Sequence, residues 1–224
     1  MDGQSLINVN GNSVPTLELL LLMTVISLLP SLMIMVTSFT RVIIVLGFTR
    51  TAMGVQQSPP NMVLVGVAIF LTLFIMRPVF EEINTEVYQP YRNGQITTEE
   101  ALEQVQIPLK NFMLKNTTVE TLQVFTEMAD VEIGEDPMDL PLTVVIPSFM
   151  TSELKRAFMA GFYIYVPFLL IDVIVSSTLM SMGMMMLPPA TIALPFKLLL
   201  FVTVNGWELL FASLVESYVR MTGG

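Results

Sequence analysis

Neither cysteine nor histidine occurs anywhere in the 224 residues. Without thiols there is no disulfide and no Cys/His zinc site. Without imidazole there is no His-ligated haem and no nucleophilic mechanism that relies on such a base. Charge is scarce too: 13% of the residues are Asp, Glu, Lys or Arg, and only 10 are basic. No basic patch exists, so nucleic acid is not an expected partner. What the chain has instead is apolar mass, with 53% hydrophobic residues, 18 methionines and a mean hydropathy of +0.70. That is too apolar for an ordinary soluble domain. It points to an integral membrane protein or the buried part of a large assembly.

The apolar mass falls into blocks. Residues 1–15 form a polar segment with no basic stretch ahead of the first apolar run, so no standard signal peptide is visible. Thr16 to Val36 carries one charge, Glu18, in 21 residues, enough to cross ~30 Å of hydrocarbon at ~1.5 Å per residue. Pro30 is expected to kink it. A polar T-S-F-T-R (Thr37 to Arg41), a short run Val42 to Phe48 and a loop ending Q-Q-S-P-P-N (Gln56 to Asn61) lead to a second span, Met62 to Met76. Its 15 residues are short for a crossing, which suggests a helix extended backward. Ala157 to Leu187 and Ala190 to Phe211 supply a second pair of apolar segments. The expected fold class is therefore all-α. Two apolar helical hairpins of membrane type (16–77 and 153–218), with kinked or broken helices, flank an acidic helical insert (78–152). A short tail, 219–224, follows.

The insert holds thirteen acids against three bases, a local charge of −10 in a chain whose total is −9. Thr97-x-x-Glu100 ahead of Leu102 and Val105 reads as a capping box opening an amphipathic helix, and a second helix is expected near Val119 to Ala129. The acids from Asp130 to Asp139 lack EF-hand spacing and read as a solvated loop. Asn116-Thr117-Thr118 is a formal glycosylation sequon with nothing beside it to suggest a eukaryotic secretory route. Arg41 and Arg50, with no acid between them, place the first turn in the cytoplasm and the insert outside. Lys155 and Arg156 argue weakly the other way.

The two segments of the second hairpin meet at M-S-M-G-M-M-M-L-P-P (Met180 to Pro189), where Gly183, Pro188 and Pro189 impose a turn. Met180, Met182, Met184, Met185 and Met186 crowd five flexible thioethers into seven uncharged residues, suited to an irregular core or to a deformable seal. Charges inside the apolar segments cost about 2.5–3.5 kcal/mol on insertion scales, so Asp172 and Lys197 need a partner or water. Counted from the turn, Asp172 lies ~16 Å and Lys197 ~9 Å along their helices. That mismatch favours partners on neighbouring subunits, with Glu153, Lys155 and Arg156 as further candidates. On the residues alone, an ion-coupled secondary transporter using Asp172 and Lys197 stays open, although the two halves show no symmetry. Ser152-x-x-Lys155 matches the Ser-Lys acyl-transfer spacing, but S-D-N and K-T-G are missing, and the reading is not an enzyme.

Several motifs occur together and in order. T-S-F-T-R, Q-Q-S-P-P-N, T-S-E-L-K (Thr151 to Lys155), F-L-L-I-D (Phe168 to Asp172), M-G-M-M-M-L-P-P (Met182 to Pro189), L-P-F-K (Leu194 to Lys197) and G-W (Gly206, Trp207) resemble the FliP family of flagellar export-gate proteins. SctR proteins of injectisomes are its relatives, and the flagellar branch fits better. The resemblance implies a core subunit of the type III protein export gate in the bacterial inner membrane, within the flagellar basal body. It implies a pentameric homo-oligomer in a helical ring, joined by FliQ-like and FliR-like subunits and by FlhB-like and FlhA-like components. Membrane lipid and unfolded export substrates are further implied partners, with no cofactor. Residue by residue, the channel gasket falls on Met184, Met185 and Met186, and the family's charged positions on Glu153, Asp172 and Lys197.

Overall fold

The computed structural model describes residues 7–9, 12–14, 16–55, 57–131, 134, 136–184 and 186–222. Within them the chain is helical except for one small antiparallel hairpin, β1 (Ile7–Val9) on β2 (Asn12–Val14), which the sequence reading did not foresee. The helices are α1 (Thr16–Val36), α2 (Phe39–Ala52), α3 (Asn61–Ile83), α4 (Gln89–Arg92), α5 (Thr98–Lys115), α6 (Val119–Met128), α7 (Leu142–Ser181), α8 (Pro189–Thr203) and α9 (Gly206–Thr222). A π-helical turn, Asn84–Tyr88, joins α3 to α4.

α1 has the limits its hydropathy predicts. The chain then bends by 81° between Pro30–Val36 and Phe39–Ala52, at Thr37 and Ser38. The polar T-S-F-T stretch makes the bend tolerable in apolar surroundings. Thr37 Oγ1 donates to Met33 O at 2.7 Å and Thr40 Oγ1 to Ile34 O at 3.1 Å, satisfying carbonyls that the broken helix leaves open. The second span grows forward from Asn61, not backward. α3 passes through Pro78, and helical structure continues to Arg92, 32 residues in all. The loop before α3 is closed instead by Arg50, whose Nη1 donates to Asn61 Oδ1 at 2.5 Å and to Pro59 O at 3.3 Å.

α7 is the axis of the molecule. Its 40 residues run through Pro147 and Pro167, and it packs against α2, α5, α6 and α8. It begins eleven residues before Glu153, so no backbone break separates the acidic region from the apolar helix. Gly161 lets α2 come close: a Cβ there would lie 2.5 Å from the Phe48 ring. Around this crossing sit Val42, Val45, Leu46, Ala68, Met76, Val145, Phe149 and Ala157, all fully or almost fully buried.

Between the spans, Thr97 and Glu100 form the expected capping box of α5, with Thr97 N–H donating to Glu100 Oε2 at 2.7 Å. Those bonds from Thr97 hold the Glu100 carboxyl below its ordinary pKa. α6 covers the second expected helix to within a residue. Asn116, the sequon residue, is completely buried and donates from Nδ2 to Phe112 O, out of reach of a glycan.

Among the described residues, two helices are long and apolar enough to cross a membrane, Asn61–Arg92 and Leu142–Ser181. The bent pairs Pro30–Val36 with Phe39–Ala52, and Pro189–Thr203 with Gly206–Val219 at 60°, raise the count to four if each pair is one span. Only 11% of the apolar window of α7 is buried by the rest of the chain. The remainder needs lipid or other protein around it.

Candidate functional site

Three structures along α7 carry the chemistry: a buried charge network near its start, an ion pair in its second half, and the methionine turn beyond its end. The network centres on Glu153, which is fully buried. Its carboxylate accepts a fork from Arg41, with Nε at 2.9 Å on Oε2 and Nη2 on Oε1, and a further bond from the Tyr218 hydroxyl. Arg41 also donates to Ser217 Oγ at 3.1 Å, and its guanidinium lies 3.9 Å from the centroid of the Tyr218 ring. A forked guanidinium stacked on an aromatic face is a geometry lysine cannot reproduce. Arg156, one turn along α7, stands 3.9 Å from Glu153 and donates to Asn116 O at 2.8 Å. α2, α7 and α9 are therefore pinned at one point by charges that satisfy one another.

The sequence reading set Glu153 beside Asp172 and Lys197; its partners are Arg41 and Tyr218 instead. Arg41, which the charge pattern places in a cytoplasmic turn, is 3% exposed and used inside the fold. Tyr218 went unnoticed, because a tyrosine on an amphipathic C-terminal helix gives no signal in one sequence. Ser152 is also buried and accepts from Thr118 N–H at 3.1 Å, so its hydroxyl is already occupied.

The expectation that Asp172 and Lys197 face different subunits is corrected. Lys197 Nζ donates to Asp172 Oδ2 at 2.6 Å within the same chain. Counted from Gly183 and Thr191 the two levels differ, but α7 ends at Ser181 and α8 starts at Pro189. From the observed ends Asp172 lies nine residues before Ser181 and Lys197 eight after Pro189, so both are ~12–14 Å from the turn. Lys197 is buried, with Asp172 side-chain exposure at 33%. Its ammonium also approaches Gly54, just past the last residue of α2, where a helix dipole favours a cation.

The turn itself is built by backbone rules. α7 ends in a Schellman arrangement: Met184 N–H donates to Leu179 O at 3.0 Å and Gly183 N–H to Met180 O at 3.0 Å, with Gly183 at φ 75°. Pro188 precedes α8 and Pro189 is its first residue, where the missing N–H costs nothing. The hinge thus closes with its helix-end carbonyls bonded and leaves the side chains free. Met180 and Met182 are more than half exposed, Met184 is 43% exposed and Met186 99%. Met185 lies outside the described residues. The methionines of the turn that are described are not core residues of their own chain.

Comparison with known proteins identifies the family. The profile described as the FliP family matches residues 22–214. The chain is 49% identical over 210 residues to the flagellar biosynthetic protein FliP of Aquifex aeolicus, covering 93% of this chain and 88% of that one. The FliP of Bacillus subtilis is also 49% identical, over 217 residues and 98% of its length. That of Caulobacter vibrioides is 49% identical over 226 residues and 85% of its length. On a match that spans nearly every helix described above, this chain belongs to the FliP family.

Proposed function

We propose that the chain is a core, non-enzymatic subunit of the flagellar type III protein export gate. Copies surround a common axis as a pentamer, and their methionine turns form a gasket around the passage. Met184, Met185 and Met186 supply the seal, while Gly183, Pro188 and Pro189 hold its loop. FliQ-like and FliR-like subunits complete the gate, FlhB-like and FlhA-like components feed it, and unfolded flagellar proteins pass through. The gate sits in the bacterial inner membrane at the flagellar basal body, with residues 78–152 as the extracytoplasmic part. That orientation rests on the segment's charge of −10 and on Arg50, since Arg41 is taken into the interior.

The observation that carries this reading is an uncharged, methionine-rich turn standing clear of its own fold, with Met186 at 99% exposure. A lone subunit in water would leave this loop uncovered. Five copies around an axis make a dry constriction that excludes ions and yields to a passing chain, because thioethers adapt their shape and narrow apolar pores empty of water. The test replaces Met184, Met185 and Met186 together with Ala. Assembled complexes should form in normal amounts while ion permeability of the host membrane rises severalfold. Intact complexes with unchanged permeability would reject the gasket.

A further inference from the structure

A groove of about 880 Å³ runs between α7 and α9, with α2 and α8 behind it, a volume within the ~300–1,000 Å³ of small-molecule sites. It is separate from the methionine turn. Along α7 its wall extends from Lys155 to Phe168, thirteen residues or ~20 Å. Its polarity is graded over that length. One end holds Lys155, Arg156 and Arg41 with the hydroxyls of Thr118 and Ser217; the other is aromatic and aliphatic, with Phe168, Phe201 and Val204. No acid lines it. Arg41 and Arg156 share the single carboxylate of Glu153, which leaves one positive charge over, and exposed Lys155, which forms no ion pair among the described residues, adds a second. The polar end therefore carries a net positive charge, and the rest offers only apolar contact.

We propose that this groove binds an anionic phospholipid, its phosphate on Lys155 and Arg156 and an acyl chain lying toward Phe168 and Phe201. One cationic end and one long apolar floor match an amphiphile with a single charged head. A docked protein helix, ~10–12 Å across, has no reason to meet cations at one end alone. The inference needs the chain to be in a membrane and does not depend on the export role.

The molecule contains its own reporter. Trp207 is its single tryptophan, and its ring packs edge-on against Phe201 with centroids 5.0 Å apart. The full chain is placed in phosphatidylcholine nanodiscs doped with phosphatidylglycerol or phosphatidylcholine bearing brominated acyl chains, and Trp207 fluorescence is read. Brominated phosphatidylglycerol should reach half-quenching at a mole fraction at least five-fold lower than brominated phosphatidylcholine. Lys155→Glu should abolish that preference, and Ala160→Phe, which fills the groove without touching its charges, should reduce quenching by both lipids. Equal curves for the two lipids, or a preference that survives both substitutions, would overturn the site. So would a preference that vanishes once copies associate, since a second chain would then be the occupant. Absence of quenching by either lipid would overturn the membrane location as well.

Discussion

The two ends of α7 are opposites. At Glu153 polar groups lie inside the protein and meet the partners they need; at Met182, Met184 and Met186 apolar groups lie outside it and are left largely uncovered. About 40 Å of α7 separates them. The difference separates what this chain completes by itself from what it leaves for others. The charge network fixes how α2, α7 and α9 cross, a task of one chain. The methionine turn has a finished backbone and unfinished side-chain contacts, the condition expected of a surface that only an assembly covers.

Breaking the finished end should have the largest effect on stability. Glu153→Ala or Arg41→Ala leaves a buried charge without its partner, a loss of about 3–5 kcal/mol. Either variant should melt well below the parent in detergent and accumulate poorly. Replacing both together, as Arg41→Met with Glu153→Leu, should recover much of the loss, because the isolated charge is the costly element. Strictly additive losses would show that the pair is not a unit. The pair in the second half of α7 is closer to solvent, so Lys197→Met or Asp172→Asn should cost less, about 1.5–3 kcal/mol. Both should loosen α8 before they unfold the chain, and hydrogen exchange confined to α8 and the end of α2 is the measurement. Uniform exchange across all helices would contradict the assignment.

The acidic segment shows the smallest effect, through its capping box. The Glu100 carboxyl is depressed in the folded chain by its bonds from Thr97, so its contribution is present above the ordinary carboxylate pKa. It is lost as pH falls through the lower, folded value. Protection of the first turn of α5 should weaken in acid, and Glu100→Gln should remove that pH dependence while leaving α7 untouched.

Much of this was legible without coordinates, for identifiable reasons. α1, the α5 capping box, α6 and the break at Gly183 and Pro188–Pro189 follow from local rules, and the structure keeps them. Proline does not end these helices: Pro30, Pro78, Pro147 and Pro167 all sit inside them, because neighbouring packing holds a helix together where one backbone bond is missing. The charged site was half legible. That Glu153, Asp172 and Lys197 must be compensated follows from the cost of an apolar setting, but which residue compensates which does not. Glu153 and Arg41 are 112 residues apart, and only the α2–α7 crossing brings them together. The levels of Asp172 and Lys197 turn on two residues at the end of α7 and two at the start of α8, each pair worth ~3 Å along its helix.

The absence of cysteine allows the most direct test of the claim that methionine turns of several copies meet. A single Met186→Cys chain should cross-link to another copy under mild oxidation in assembled complexes, since a disulfide forms only when Cα atoms come within about 7 Å. Glu99→Cys, exposed in the first turn of α5, should stay uncoupled under the same treatment. If Met186→Cys remains monomeric in intact complexes, or couples no better than Glu99→Cys, the turns do not share an axis.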